Sequence, residues 1–299
     1  ASADLLPGTG TASNAEKPVN RDGLNVLGTT FSTMSLTTAG NLTLSEGGVG
    51  HMLLVPYYSA QNNNMTVLHV VNTDSVNGKA VKVRFRGAAN SDDVMDFQVF
   101  MSPGDVWTAA VTAGADGIAQ VQTADNTCTV PSLGFNTPQA FTISRLNPNH
   151  TDEAKASGTR EGYVEILNVA DVVPGSALFT ATKHVAGKAP CTQAVMDLQE
   201  NDLVAVAGDA NSPLVRGYSW PTGGLMANWI LVNVDGMASH SGEAVAVRAV
   251  DARGLNAAGN IVWFPQTTDA VTAGTLVTSL TADPLLQSSA FANEVANYD

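Results

Sequence analysis

The chain of 299 residues is long enough for two ordinary domains or one large sandwich, and its hydrophobic content of 44% excludes disorder of the whole chain. Only 14% of the residues are charged, and the formal net charge of -13 argues against nucleic acid as a partner, because binding to phosphate needs a concentrated cationic surface. Low charge combined with many Gly, Ala, Val, Thr, Asn and Ser residues is typical of a turn-rich β protein.

The first 22 residues, ASADLLPGTGTASNAEKPVNRD, lack a periodic apolar face, which predicts a flexible N-terminal arm over 1–22. A start at Ala-Ser-Ala is typical of a mature end left by signal-peptide cleavage, so we expect a secreted or cell-surface protein. The arm could add as a strand to a sheet edge of a neighbouring copy. Its candidate assembly residues are Leu5, Leu6, Pro7 and Val19.

From Leu24 onward, short apolar runs alternate with turn signals. The runs MTVLHVVNT and AVKVRFRG are rich in Val, Thr and aromatic residues, whereas NNN, VNGK and SPGD favour turns. Their recurrence about every 10 to 15 residues is typical of antiparallel sandwiches rather than βα repeats. We therefore predict a β-sandwich domain, or the first half of one, over 23–145.

Residues 81–100, VKVRFRGAANSDDVMDFQVF, predict a hairpin. Strand alternation places Lys82, Arg84 and Arg86 on one face, which we expect to be solvated, and leaves Val81, Val83 and Phe85 on the core face. In the hairpin, Arg84 or Arg86 can sit across from Asp96. A solvated sheet face with internal pairing is therefore favoured over a ligand groove.

The polar segment LNPNHTDEAKASGT, residues 146–159, either divides the chain into two domains or forms one long surface loop. Strand-like runs return after it, including REGYVEILNVADV, LMANWILVNV and SGEAVAVRAV, and only a few short helices are expected. A second β-rich domain or half is predicted over 146–299. The fold class is therefore all-β and of antiparallel sandwich type, with one large or two associated sandwich domains.

Two cysteines, Cys128 and Cys191, are separated by 63 residues, far from the spacing of a zinc or redox motif. In a secreted chain they most simply form one disulfide, which would stabilise the fold by about 3 to 4 kcal/mol in the chain-entropy model. The alternative is two unpaired thiols in a cytosolic protein.

Catalytic and metal signatures are weak. The five histidines lie in no HExxH pattern and are widely spread: His51, His69, His150, His184 and His240. Glu161 and Glu165 share one strand face, but a wet strand face explains them as well as a glycosidase pair does. The acidic composition allows a structural calcium ion, although SDD and END lack the calcium-loop pattern. We expect no enzyme, and no run of about 18 apolar residues predicts a transmembrane helix.

Four stretches carry a family resemblance: LLVPYYSAQNNNMTVLHVVNT (53–73), GKAVKVRFRGAANSDDVMDFQVFMSPGDVW (78–107), TREGYVEILNVADV (159–172) and PTGGLMANWILVNV (221–234). Together they resemble exported cell-surface or surface-layer-like proteins of Gram-negative bacteria. The resemblance implies export and a β-rich surface role, and it carries no catalytic residues.

These observations favour a structural subunit of an extracellular assembly, a surface layer or filament made of copies of the chain. The alternative is a secreted carbohydrate-binding or adhesive β module whose partner is a cell-envelope glycan. Aromatic side chains could form its sugar-stacking platform, although they are also typical of core packing: Trp107, Trp220, Trp229, Trp263, Tyr57 and Tyr58. A secreted hydrolase would require Glu161, Glu165 or a histidine to lie beside another acid in a cleft.

Overall fold

The computed structural model describes residues 4–6, 39, 41–201, 210–211, 213–251, 253–259 and 261–263. The strands are β1 (Asp4–Leu6), β2 (Asn41–Leu44), β3 (Met52–Ser59), β4 (Asn64–Asn72), β5 (Gly78–Gly87), β6 (Asp93–Met101), β7 (Val106–Ala113), β8 (Ala119–Gln122), β9 (Cys128–Val130), β10 (Gln139–Ala140), β11 (Glu161–Val172), β12 (Tyr218–Ser219), β13 (Leu225–Asn233), β14 (Ala238–Glu243), β15 (Val245–Val250) and β16 (Ile261–Trp263). The helices are α1 (Asp152–Thr159), α2 (Ala177–Thr182), α3 (Gln193–Asp197) and α4 (Pro213–Arg216), with a 3₁₀ turn at Leu198–Glu200.

Two antiparallel sheets form an open sandwich, which confirms the predicted fold class. The eight-stranded sheet has the order β2-β15-β3-β11-β5-β6-β9, and β12 pairs with β11 beside this path. The six-stranded sheet has the order β10-β8-β7-β4-β13-β14. Strands β1 and β16 pair in a separate two-stranded sheet.

The main core lies between the two large sheets. The face of β5 that carries Val81, Val83 and Phe85 is fully buried, as its alternation predicts. Leu68 and Val70 of β4 face it from the six-stranded sheet. Each fully buried side chain of this size contributes about 1.5 to 3 kcal/mol relative to exposure, so this layer dominates the hydrophobic stabilisation of the fold.

A second core covers part of the opposite, outer face of the eight-stranded sheet. Val169 and Val172 of β11 pack there in one cluster with Leu178 of α2, Met196 of α3 and Tyr218 of β12. The predicted disulfide is present: Cys128 of β9 is bonded to Cys191, which precedes α3. It fastens this covering layer to the edge of the sheet.

Strands from both halves of the sequence share both large sheets. Strand β11 lies between β3 and β5, and β13 pairs with β4, so segments 23–145 and 146–299 are interleaved. The polar segment between them contains α1. Thr151 caps this helix by accepting a hydrogen bond from the Ala154 N–H at 3.2 Å, and two acidic residues stand in its first turn.

Candidate functional site

The cationic face of β5 is buried, so the prediction of a solvated face was wrong. Lys82, Arg84 and Arg86 are 0%, 3% and 6% exposed. Periodicity correctly places the three side chains on one face, but it does not show what covers that face. The exposure of these side chains also depends on segments distant in sequence, such as the strand that carries Glu165, and not only on the neighbouring strand of the hairpin.

Carboxylates of β6 and β11 pair with these cations. The shortest contacts are Lys82 Nζ to Asp96 Oδ2 at 3.2 Å, Arg84 Nη2 to Asp93 Oδ2 at 2.9 Å, and Arg86 Nε to Glu165 Oε2 at 3.2 Å. Arg84 also lies opposite Asp96 in the strand register, as predicted. The pairing occurs within the chain and accounts for the charges without a ligand.

Burial and ion pairing have opposite effects on the pKa values of Lys82 and Asp96. Burial raises the pKa of Asp96, but the charge and hydrogen bond of Lys82 outweigh it and hold that pKa below its usual value. Burial also lowers the pKa of Lys82, against the opposing charge of Asp96. The pair is therefore a buried ion pair whose removal from water opposes its attraction.

Ser102, Asp105 and His184 form a cluster that sequence reasoning missed. His184 Nδ1 lies 2.6 Å from Ser102 Oγ and 3.4 Å from Asp105 Oδ2, and the two oxygens are 3.3 Å apart. A serine nucleophile needs one ring nitrogen facing the hydroxyl and the other facing the acid. Here both oxygens converge on Nδ1, so the group fastens the β6–β7 turn to the end of α2 and lacks the relay geometry.

The two glutamates of β11 have separate partners. Tyr57 Oη donates to Glu161 at 3.0 Å, whereas Glu165 pairs with Arg86. Both carboxylates are therefore held by contacts within the chain. Among the residues that the structure describes, no three His, Cys, Asp or Glu side chains are grouped as they would be around a metal ion. The calcium ion stays a prediction.

Aromatic residues of the predicted sugar platform are divided between core and surface. Trp107 and Tyr58 are fully buried, and Trp229 packs partly against the main core. Tyr57 is 39% exposed, while the side chain of Trp263 lies outside the described residues. The two deepest rings are therefore unable to stack on a ligand at the surface.

A buried polar network closes one end of the main core. Lys79 Nζ of β5 donates to Asp171 Oδ1 of β11 at 2.9 Å and to Thr222 Oγ1 at 3.2 Å, and it lies 3.6 Å from Asp74. Lys79 and Asp171 are both inaccessible to solvent. Asn168 completes the network by donating to the same Asp171 oxygen at 2.7 Å.

The PTGGL loop before β13 packs over this network. Gly224 has a φ of +115°, and a Cβ there would lie 3.2 Å from Lys79 Cε, so glycine lets the loop close over the lysine. The charge of Lys79 also acts on His51. Burial, followed by the positive charge of Lys79, lowers the pKa of His51 from 6.5 to about 3, which keeps the ring neutral at pH 7.

The six-stranded sheet contrasts with its partner in charge. Glu243 is the only Asp, Glu, Lys or Arg in its six described strands. The strand register places eight apolar side chains on the outer face of this sheet. We call this outer face the open face, and its apolar members are Met65, Val67, Val71, Val106, Ala110, Met226, Ile230 and Val232.

The open face is accessible to solvent. Val67 and Ile230 are partly exposed in the centre of the sheet, and Val106 is 45% exposed. Strands β4 and β13 are apolar on both faces, a pattern typical of strands that are covered on both sides. Between the apolar rows, His69 Nδ1 lies 2.8 Å from the Asn228 side-chain oxygen, so these polar groups pair with each other.

Strand β14 forms an edge of the same sheet. It pairs with β13 on one side and has no strand partner on the other among the described residues. Its residues from Ala238 to Ser241 are all exposed. Such an edge presents backbone N–H and C=O groups that can pair with another strand.

Part of the predicted assembly arm forms a strand. Leu5 and Leu6 lie in β1 and are paired with Val262 and Ile261 of β16 in the same chain. Pro7 and Val19 lie outside the described residues. No described helix is both long enough and apolar enough to cross a membrane.

A groove of about 360 Å³ lies beside the disulfide, where Cys128, Lys188 and Glu200 contribute to its lining.

The chain matches no protein-family model, no curated protein and no solved structure. The resemblance to surface-layer-like proteins therefore stays a prediction. The open face and its edge are the features with the clearest capacity to bind another macromolecule.

Proposed function

We propose that the protein is a structural subunit of an extracellular assembly, a surface layer or filament built from contacts between copies of the chain. The observation that carries the proposal is the open face of the six-stranded sheet. Strands β4 and β13 have the two-sided apolar pattern of covered strands, yet one of their faces is partly exposed. A second copy would supply the missing cover.

Charge supports a second copy as the partner. Each chain carries a formal net charge of -13, so two copies repel each other over most orientations. The open face adds little to this repulsion at the contact, because its apolar members and their polar neighbours carry no carboxylate apart from Glu243 at the margin. Two open faces can therefore stack with little desolvation of charge.

The area of the open face is close to what a specific contact needs. Five strands about 4.8 Å apart and about seven residues long present roughly 550 Å². Two such faces would bury roughly 1,100 Å², near the lower end of specific interfaces at about 1,200 Å². Stacking alone thus favours a reversible pair that further contacts would strengthen.

The β14 edge supplies a second type of contact. A face-to-face pair related by a two-fold axis closes on itself, whereas edge contacts between such pairs would extend the assembly. In addition, exchange of β1 between copies would replace the β1–β16 pairing within one chain by the same pairing with a neighbour. This gives the N-terminal arm the role of a connector.

The proposal is tested by measuring mass and shape as a function of concentration, with light scattering and negative-stain microscopy. The wild-type chain should form pairs or ordered polymers. Val67→Glu should return it to monomers, because a two-fold contact would bring two buried carboxylates together. Val185→Glu is the matched control, since Val185 is 66% exposed outside both sheets. A wild-type chain that stays monomeric up to millimolar concentration would exclude the proposal.

A further inference from the structure

The buried network at the end of the main core places an amine, a carboxamide and a carboxylate together. Lys79 Nζ and Asn168 Nδ2 both hydrogen-bond to Asp171 Oδ1, at 2.9 Å and 2.7 Å. Two such bonds to one oxygen bring the two nitrogens to about 4.5 Å from each other. All three residues are inaccessible to solvent, so water cannot compete for the carboxamide.

Thr222 holds the carboxylate in place. Its hydroxyl donates to Asp171 Oδ2 at 2.6 Å, and its backbone N–H lies 3.3 Å from Oδ1. The Thr222 carbonyl also accepts from Asn168 Nδ2 at 2.9 Å. The amide nitrogen of Asn168 therefore faces two acceptors, which fixes the amide orientation, while Asn168 Oδ1 is buried without a hydrogen-bond partner.

We propose that Lys79 and Asn168 become joined by an isopeptide bond, with Asp171 as the residue that carries the protons. Lys79 Nζ can pass a proton to Asp171 along their 2.9 Å hydrogen bond, which leaves a neutral amine next to the carboxamide of Asn168. The neutral amine is a nucleophile, and the neighbouring carboxamide is its electrophile. Because the fold holds the two groups close together in a site without water, the reaction between them is faster than it would be in solution.

The reaction balances without a cofactor or oxidant. Lys79 transfers one proton to Asp171, and its neutral Nζ attacks Cγ of Asn168. Asp171 then delivers its proton to Nδ2, to which it is already hydrogen-bonded, and accepts a second proton from Nζ. The Cγ–Nδ2 bond breaks and ammonia leaves, while a Cγ–Nζ amide bond remains. Asp171 ends as a neutral acid until ammonia or water takes its proton.

The bond would link neighbouring strands of the eight-stranded sheet. Lys79 stands on β5 opposite Asp171 of β11, and Asn168 lies three residues before Asp171 on the same strand. A covalent link between β5 and β11 adds to the disulfide and fastens the centre of the sheet instead of its edge. The bond would form within one chain, so its presence is independent of self-association.

The test is the intact mass of the folded, disulfide-reduced wild-type chain. We expect a mass lower than the sequence mass by one molecule of ammonia. Tryptic peptides should contain one branched species that joins the Lys79 and Asn168 segments, and trypsin should not cleave after Lys79. The branched peptide separates this reaction from loss of ammonia at an asparagine that cyclises. A wild-type chain of full sequence mass would overturn the proposal.

Variants separate the role of Lys79 as the nucleophile from the role of Asp171 as the proton carrier. Lys79→Arg and Asp171→Asn should both have the full mass expected for their sequences, because one lacks the nucleophile and the other lacks the proton carrier. Lys82→Arg is the matched control, since Lys82 is also fully buried on β5 but faces the opposite side, and it should keep the loss of ammonia. An Asp171→Asn chain that still contains the branched peptide would overturn the role of Asp171. The wild-type mass decides the bond itself even where a variant fails to fold.

Discussion

The outer faces of the two large sheets have opposite chemistry and opposite exposure. The eight-stranded sheet carries Lys82, Arg84 and Arg86 on its outer face, and all three are buried among carboxylates. The six-stranded sheet carries apolar side chains such as Val67 and Ile230 on its outer face, and these are partly exposed. A rule that places charge outside and apolar groups inside would have exchanged the two faces.

The difference shows that the fold topology, and not the chemistry of a face, decides which outer face of the sandwich is covered by other elements. Helices α2 and α3 pack over part of the outer face of the eight-stranded sheet, and the disulfide between Cys128 and Cys191 ties this layer to the sheet. No described helix or strand takes the same position over the open face. Buried charge then requires partners inside the chain, whereas an uncovered apolar face favours a partner outside it.

Acid should lower the free energy of unfolding through His51, which lies next to β3 of the eight-stranded sheet, and this is the largest effect that we expect. The folded-state pKa of His51 is about 3, below its value of 6.5, because burial and then Lys79 disfavour the charged ring. Between those two pH values only the unfolded state binds the proton. The free energy of unfolding is therefore full above about pH 6.5 and decreases by about 1.4 kcal/mol per pH unit as the pH falls, by at most about 5 kcal/mol.

Urea unfolding from pH 7 to pH 3.5 measures this slope. Carboxylates add their own acid dependence, so the slope of His51→Gln is subtracted from that of the wild type. Equal slopes in the two chains would show that His51 takes up its proton in the folded state.

Removal of one carboxylate from the charged face should cost nearly as much. Asp93 is 1% exposed, and its Oδ2 pairs with Arg84 at 2.9 Å and with Arg145 at 3.3 Å. Asp93→Ala leaves Arg84 buried without this partner, and we expect a loss of about 3 to 5 kcal/mol in the free energy of unfolding. The midpoint of urea unfolding measures it.

Ser241→Ala provides the comparison on the other sheet. Ser241 is exposed on β14, so its loss should change stability by no more than about 0.5 kcal/mol. If the two variants lost equal stability, the charged face would be no more dependent on its pairing than the exposed edge is on a surface hydroxyl, and the contrast between the sheets would fail.

Local patterns in the sequence predicted the features that depend on near neighbours. The alternation in VKVRFRG assigned Val83 and Phe85 to the core, and the hairpin placed Arg84 across from Asp96. The pair of cysteines predicted the disulfide. Each of these inferences needs only the period of a strand, the geometry of one turn or the count of cysteines.

Features that depend on distant segments could not be predicted in this way. The partner of Arg86 is Glu165, 79 residues away, and the partner of Lys79 is Asp171, 92 residues away. Nothing in the local pattern around Lys79 distinguishes it from a surface lysine at the start of a strand. The one signal in the sequence for the open face was the two-sided apolar pattern of MTVLHVV and NWILV, which predicts cover without showing where the cover comes from.

A valine-to-threonine pair tests the contrast with the smallest change, because threonine has nearly the shape of valine and adds one hydroxyl. Val83 is fully buried between the sheets, so Val83→Thr should cost about 1 to 3 kcal/mol for an unpaired buried hydroxyl. Val67 lies on the open face, so Val67→Thr should change the free energy of unfolding by no more than about 0.5 kcal/mol. Both are measured at low protein concentration, where association between copies cannot add to the stability of the folded chain. A loss at Val67 equal to that at Val83 would mean that the open face is covered within the single chain, and the case for a second copy as its partner would then fall.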